Sequence, residues 1–219
     1  QPTAVVAHGA NPGFVSVLVK QALHRMGQRF LHGREAAPRD QPGWARLAHD
    51  LGVRVIQIAE RDTQVSAQAR AEGEFINTWS VDGFITECLQ PAELGWGTHE
   101  IALPAQGRMH EQGCGAAIAI DQPGHTIKVK SWSPNALDFD AWLITHNEAI
   151  SIADHLTWRC GDRVKYRPTA YYAYHPCDQA VESMALLGRD NAARVRERRV
   201  IKDEIASGID ELGVFLISD

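Results

Sequence analysis

The apolar positions switch period along the chain, and the switches mark its elements. Over 11–26, Phe14, Val15, Leu18, Val19, Ala22 and Leu23 recur at i, i+3 and i+4. That spacing stacks them on one face and predicts an amphipathic helix. Asn11 reads as its N-cap, Pro12 as its first helical residue and Gly27 as its stop. Residues 28–41 are rich in Arg, Gly, Pro and Asp and read as loop. A second helix is expected over 43–51, with Trp44, Leu47 and Leu51 on one face and Gly52 behind it. The pattern then turns β-branched. Residues 53–59 read as a strand that delivers Glu60, Arg61, Asp62 and Thr63 at its end. The polar stretch 64–73 reads as loop and 75–80 as another strand. Ser80 then caps a short helix bearing Phe84, Ile85 and Leu89, which Pro91 terminates.

Residues 92–113 look irregular. The runs 116–120 and 126–132 read as a hairpin around Gln122-Pro123-Gly124. Residues 142–144 form a strand leading into Thr145-His146-Asn147-Glu148, followed by a helix over 149–156. Tyr166 and 170–174 are strand-like, 176–187 is helical, and 195–201 and 213–217 are further strands. Strands and helices alternate irregularly and no repeat is visible. The expected fold class is α+β, one domain with a mixed or antiparallel sheet and flanking helices. The chain opens on Gln1 rather than Met, within an apolar run that leads straight into a helix. It closes on a strand-like run, and the expectation is a segment of a longer protein. No signal-peptide pattern opens it, and no apolar run is long enough to span a bilayer.

Composition narrows the function classes. With 44% hydrophobic and 22% charged residues, disorder over the whole chain is excluded. The net charge of -5 argues against a nucleic-acid backbone binder and suits a small cationic partner. Six Trp beside four Tyr and six Phe is Trp-heavy, so some indoles are expected to do more than fill a core. The four cysteines show no CxxC and are expected as reduced thiols. His110, Glu111 and Cys114 are close in sequence but lack tetrahedral ligand spacing, so no metal is expected. There is no GxGxxG after a strand, no Walker loop, no HExxH and no GxSxG.

Several strand ends discharge into polar residues, where a rigid scaffold tends to carry function. Glu60 follows one strand. Trp79 ends another, with Glu87 two turns along the next helix. His146 and Glu148 follow a third, and Asn11 opens the first helix. Each has a bland reading: a solvated turn, a core indole, a surface helix face, a structural hydrogen-bond cluster, an N-cap. Together they fit an alkylammonium. Carboxylates supply charge-assisted hydrogen bonds, a ring face stabilises a cation, and a His moves protons near neutral pH.

A family resemblance adds to this. It is carried by Gly9-Ala10-Asn11-Pro12-Gly13, Ile58-Ala59-Glu60-Arg61-Asp62-Thr63-Gln64 and Asn77-Thr78-Trp79-Ser80-Val81. It continues through Leu89-Gln90-Pro91-Ala92-Glu93-Leu94-Gly95-Trp96-Gly97-Thr98, Thr145-His146-Asn147-Glu148, Tyr172-Ala173-Tyr174-His175-Pro176-Cys177 and Gly208-Ile209-Asp210-Glu211-Leu212-Gly213-Val214. These strings, in this order, resemble the bacterial homospermidine synthases and, more loosely, the saccharopine-dehydrogenase-like enzymes. The resemblance implies a two-domain enzyme with an NAD-binding Rossmann domain. Residues 1–8 would end a Rossmann-like strand, and 9–219 would be the substrate-binding and dimerisation domain. The implied reaction uses bound NAD as a recycled redox cofactor. One putrescine is oxidised to an imine, ammonia leaves as a second putrescine condenses, and reduction gives homospermidine.

The implied site residues are Trp79, stabilising cationic intermediates; Glu60, Glu87 and Glu148, binding amino groups; His146, handling protons; and Asn11, near the nicotinamide. Trp79, His146, Glu148 and Glu87 would be catalytic. The implied protein is a cytoplasmic homodimer that binds diamines, with neither nucleic acid nor membrane as partner. Without the nucleotide domain, these residues alone would be inactive. The alternatives are a related carboxyspermidine- or saccharopine-type reductase, which needs a basic group for a substrate carboxylate, and a non-catalytic polyamine-binding or dimerisation module.

Overall fold

The computed structural model describes residues 9–33, 36–189 and 191–219. The strand end expected at 1–8 lies outside them. Helix α1 (Phe14–Phe30) buries Val15, Val19, Leu23 and Gly27, a stripe at the expected spacing. Two terminal readings change. Asn11 is not the cap: Gly13 holds that position, and no side chain caps the helix. Nor does Gly27 stop the helix. It is the last buried position of the stripe, and packing overrides its weak helix propensity for another turn. Helix α2 (Gln41–Asp50) starts two residues before expectation. Asp40 is its cap, with the Gly43 N–H donating to its carboxylate at 2.9 Å.

Strand β1 (Val53–Asp62) carries Glu60 and Asp62 within the strand rather than after it. Within the expected loop 64–73, strand β2 (Val65–Ser66) forms a short pair. Strand β3 (Glu74–Asn77) then leads to helix α3 (Val81–Leu89), capped by Ser80, whose hydroxyl accepts from the Gly83 N–H at 3.1 Å. The region expected to be irregular contains β4 (Pro91–Gly95) and β5 (Gly107–Met109), both paired with β6 (Ala117–Pro123). The expected hairpin over 116–132 does not form. Strand β7 (Lys128–Ser133) pairs with β8 (Ala136–Trp142) instead. The backbone explains this: the Gly124 N–H donates to the Gln90 carbonyl, and the Leu143 N–H to the Ile127 carbonyl. The 123–127 turn is therefore tied to the end of α3 and the residues after β8.

Helix α4 (Asn147–His155) is followed by a small hairpin of β9 (Trp158–Cys160) and β10 (Arg163–Tyr166). Then come β11 (Thr169–His175), α5 (Asp178–Met184), β12 (Glu197–Val200), β13 (Ile205–Ser207) and β14 (Asp210–Ser218). Strand β12 pairs with β3, and β13 with β2. The main sheet is mixed, as expected. Its centre is β1, parallel to β11 on one side and antiparallel to β14 on the other. Beyond β11 the sheet forks. Ala170 faces Gly95 of β4, while Tyr174 faces Trp142 of β8. Helix α4 packs on β11 and β4, α1 on β14, and β7 over β1. The central strands are thus covered on both faces, and Ile56, Ile58, Tyr172 and Tyr174 belong to one core with α1, α3 and α4 residues.

Candidate functional site

The site begins at the ends of β1 and its two neighbours, β11 and the edge strand β14. Their register sets Glu60 beside Tyr174 on one neighbour and Leu212 on the other, and Asp62 beside Asp210. Side chains alternate faces along a strand. Glu60, Asp62, Asp210, Tyr172 and Tyr174 therefore share one face at one end of the sheet. The Tyr172 hydroxyl donates to Glu60 Oε2 at 2.9 Å, and Asn11 Nδ2 donates to the same oxygen at 2.9 Å. This is why Asn11 does not cap its helix: its amide is committed to a carboxylate across the fold. Asn11 Oδ1 is buried and has no hydrogen-bond partner among the described residues.

Helix α4 adds the second wall. His146 stands at its N-cap position and Glu148 in its first turn, and the two meet at 2.6 Å through His146 Nδ1. That bond leaves Nε2 as the ring nitrogen open to a ligand. The imidazole lies against the Tyr172 ring, with centroids 4.5 Å apart. Glu87 of α3 faces this pair, and together they line a pocket of about 240 Å³ that Pro12, Gln90 and Thr145 complete.

Trp79 joins the group through the tyrosines. Its indole N–H donates to the Tyr174 hydroxyl at 3.3 Å, and Tyr174 stacks on Tyr172 at 5.8 Å. Phe84 makes edge contacts with both Trp79 and Tyr174. A Cβ at Gly83 would come within 3.1 Å of the indole, so glycine leaves the room the ring occupies. The indole is 36% exposed, unlike a core tryptophan. The loop before it is held by Asp62, which accepts from the Thr78 hydroxyl at 2.7 Å.

Electrostatics distinguish this cluster from a solvated acidic patch. Burial pushes the Glu60 carboxyl up, against the lowering effect of the Asn11 and Tyr172 hydrogen bonds. Burial also raises Asp62, which the Thr78 and Gln64 donors only partly offset. Glu87 is raised by burial and by Glu60 and Glu148, with His146 opposing. Asp210 is pushed up to about 8 by loss of water around its carboxyl, by the charges of Glu60 and Asp62, and by a hydrogen bond with Glu60. Asp210 as a residue stays exposed, so the neighbouring carboxylates are the firmer part of that cause. Burial alone would lower His146, but the Glu148 hydrogen bond and the charges of Glu148, Glu87 and Glu60 override it and raise it. Burial and neighbouring charge thus shift these groups toward their protonated forms, and a cation in the pocket would shift the carboxyls back toward carboxylate.

All six candidates are brought into this one neighbourhood. Four further residues belong with them and were not singled out from sequence: Asp62, Tyr172, Tyr174 and Asp210. Asp210 reaches the site because the 63–64 and 208–209 loops are laced together, Thr63 N–H donating to the Ile209 carbonyl at 2.8 Å. Gly208, at φ 89°, permits this, since a Cβ there would sit 2.0 Å from the Thr63 carbonyl oxygen. Among the described residues no group of three His, Cys, Asp or Glu side chains is placed to hold a metal ion.

Known proteins share this architecture. The family model for the saccharopine dehydrogenase C-terminal domain matches residues 9–218. A homospermidine synthase of Blastochloris viridis is 50% identical over 216 residues, covering 98% of this chain and 45% of that protein. One from Mesorhizobium japonicum is 47% identical over 217 residues, again 98% of this chain and 45% of the relative. The crystal structure of a homospermidine synthase from Legionella pneumophila, in complex with NAD, is similar at a TM-score of 0.87 and 41% identity. It covers 97% of this chain and 46% of that one. The chain therefore spans less than half the length of the relatives it matches.

Proposed function

The chain belongs to the saccharopine dehydrogenase C-terminal domain family, and from that premise we propose that it is the diamine-binding and dimerisation domain of a homospermidine synthase. The observation that carries this reading is the Glu60 carboxylate, set on the same strand-end face as Asp62 and Asp210 and flanked by stacked aromatics. Such a site suits a flexible dication. One ammonium is held by Glu60 with Asp210, and the other end by Glu87 and Glu148. The Trp79 face stabilises positive charge between them by roughly 0.5–2 kcal/mol, without a nucleophilic atom that could attack an iminium.

His146 has a role set by competition. Imidazolium and ammonium draw on the same carboxylates. A bound dication weakens their hold on the imidazolium, lowering its proton affinity. The neutral imidazole can then take a proton from the attacking amine, which must be neutral at that moment. In the whole enzyme Trp79, Glu87, His146 and Glu148 act as catalytic residues, and Asn11, Glu60, Trp79, Glu87, His146 and Glu148 bind substrate.

The site does not fit a whole dinucleotide. Its charged lining is carboxylate-rich, and a diphosphate would meet like charge there. Asn11, whose buried amide oxygen has no partner among the described residues, suits a carboxamide edge. NAD is accordingly held by other parts of the longer enzyme, and no step described here passes through it. The full-length protein is a cytoplasmic homodimer, and this domain alone is inactive. Among the described residues no helix is long and apolar enough to cross a membrane.

Calorimetry on the intact enzyme tests this. Putrescine should bind better than lysine, whose carboxylate meets like charge, and better than 1,3-diaminopropane, which cannot span both carboxylate groups. Homospermidine should form when putrescine and NAD are supplied. Equal binding of lysine and putrescine would favour the reductase alternative, and binding without product would favour the non-catalytic module.

A further inference from the structure

Helix α4 has a second functional-looking end. While His146 and Glu148 line the acidic pocket, Ser151, Asp154 and His155 line a separate cleft of about 530 Å³. Its other walls are Arg46 and Pro42 of α2 and Trp158 and Arg159 of β9. A neighbouring hollow of about 200 Å³ shares Ser151 and His155 and adds Lys20 of α1. The two centres lie toward opposite ends of one nine-residue helix, itself about 14 Å long.

The charge of this cleft is opposite to that of the acidic pocket. Arg46, Arg159 and Lys20 face a single carboxylate, Asp154. Among the described residues neither Arg46 nor Arg159 makes an ion pair or hydrogen bond. Arg46 instead stacks on the Trp158 ring, with its guanidinium carbon 4.4 Å from the centroid. Stacking holds the planar group in place while leaving its in-plane N–H fork free, the arrangement that grips carboxylate or phosphate in two points.

The carbonyls that would oppose an anion are already covered. Gln41 Nε2 donates to the His155 carbonyl at 2.7 Å and to the Thr157 carbonyl at 3.0 Å. His155 Nε2 is buried without a hydrogen-bond partner among the described residues. A cleft of this volume is in the range of small-molecule sites, and Pro42 and Trp158 give it apolar surface.

We propose that this cleft binds a small organic polyanion, a phosphate ester or polycarboxylate, through Arg46 and Arg159, with its carbon skeleton against Pro42 and Trp158. Such a ligand is chemically opposite to a diamine, and the site stands or falls independently of the diamine reading.

Titration of the full-length protein with glycerol 3-phosphate, citrate and inorganic phosphate, by calorimetry at low salt, tests it. One of the two organic anions should bind one-to-one, and which binds more tightly assigns phosphate ester or polycarboxylate as the source. Arg46→Gln and Arg159→Gln, which keep part of each side chain's stem, should each weaken binding roughly tenfold. Asp154→Asn should tighten it about threefold, a gain that general damage to the fold would not produce. The proposal is overturned if neither organic anion binds, if inorganic phosphate binds as tightly as both, or if the arginine variants bind as wild type does.

Discussion

The acidic pocket and the basic cleft sit at opposite ends of one nine-residue helix and handle charge in opposite ways. In the pocket, carboxylates from two strands and two helices crowd together. Burial raises Glu60, Asp62, Glu87 and Asp210 toward the protonated state, and neighbouring carboxylates add to this at Glu60, Glu87 and Asp210. In the cleft Arg46 and Arg159 are exposed while Lys20 is half-buried, and Arg46 is anchored by ring stacking rather than by a carboxylate. Like charges can be held ready either by shifting them toward the neutral form or by leaving them exposed to solvent, and this chain does both along one helix.

Glu60→Gln tests that contrast most strongly. It keeps the shape and an acceptor for Tyr172 and Asn11 but removes the charge. Diamine affinity of the intact enzyme should fall roughly a hundredfold, as for loss of a charge-assisted hydrogen bond, while citrate binding in the cleft holds. Equal losses at both sites would mean the regions are not independent. Trp79→Ala should cost turnover roughly tenfold and Trp79→Phe about threefold, because Phe keeps a ring face. Equal losses would point to the indole N–H and its bond to Tyr174, and Tyr174→Phe, read by the fluorescence of Trp79, would separate that case.

Asp210 gives a pH signature. Its folded value of about 8 lies above the ordinary carboxylate range near 4. Its stabilising contribution is thus complete below about pH 4 and is lost as pH rises through 8. Asp210→Asn should melt about 2–4 °C higher than wild type at pH 9 without diamine, and level with it at pH 4, an effect limited by the residue's solvent-facing side. A variant that melts lower at pH 9 would place Asp210 among the stabilising charges. The smallest expected effect is ionic. Raising salt from about 50 to 200 mM should weaken anion binding in the cleft more than diamine binding in the pocket, since exposed charges are screened more than buried ones. The reverse order would contradict the assignment of exposed and buried charge.

Much of the local structure was legible in the chain. The i, i+4 stripe of α1, the Ser80 cap of α3 and the β-branched run of β1 depend on residues close in sequence, and all three formed. The failures were of another kind. Asn11 has every local mark of an N-cap, yet its amide is taken by Glu60. Pro123-Gly124 reads as a hairpin turn, yet Gly124 is tied to Gln90. In each case a distant partner outweighed a local preference.

The same division holds for the site. Sequence by itself placed the acidic residues, the indole and the His close to strand ends or on the helices that follow them, and its ordered strings pointed to the homospermidine synthase family. Tertiary structure decided what those residues do to one another. Parallel pairing of β1 with β11 brings the Tyr172 hydroxyl onto Glu60, and the antiparallel return of β14 adds Asp210, which no local pattern marks. Periodicity reports which way a side chain points, because that depends on neighbours a few residues away. Proton affinity depends on water excluded and charges approached across the whole fold, and those follow from strand register together with the placement of α3 and α4.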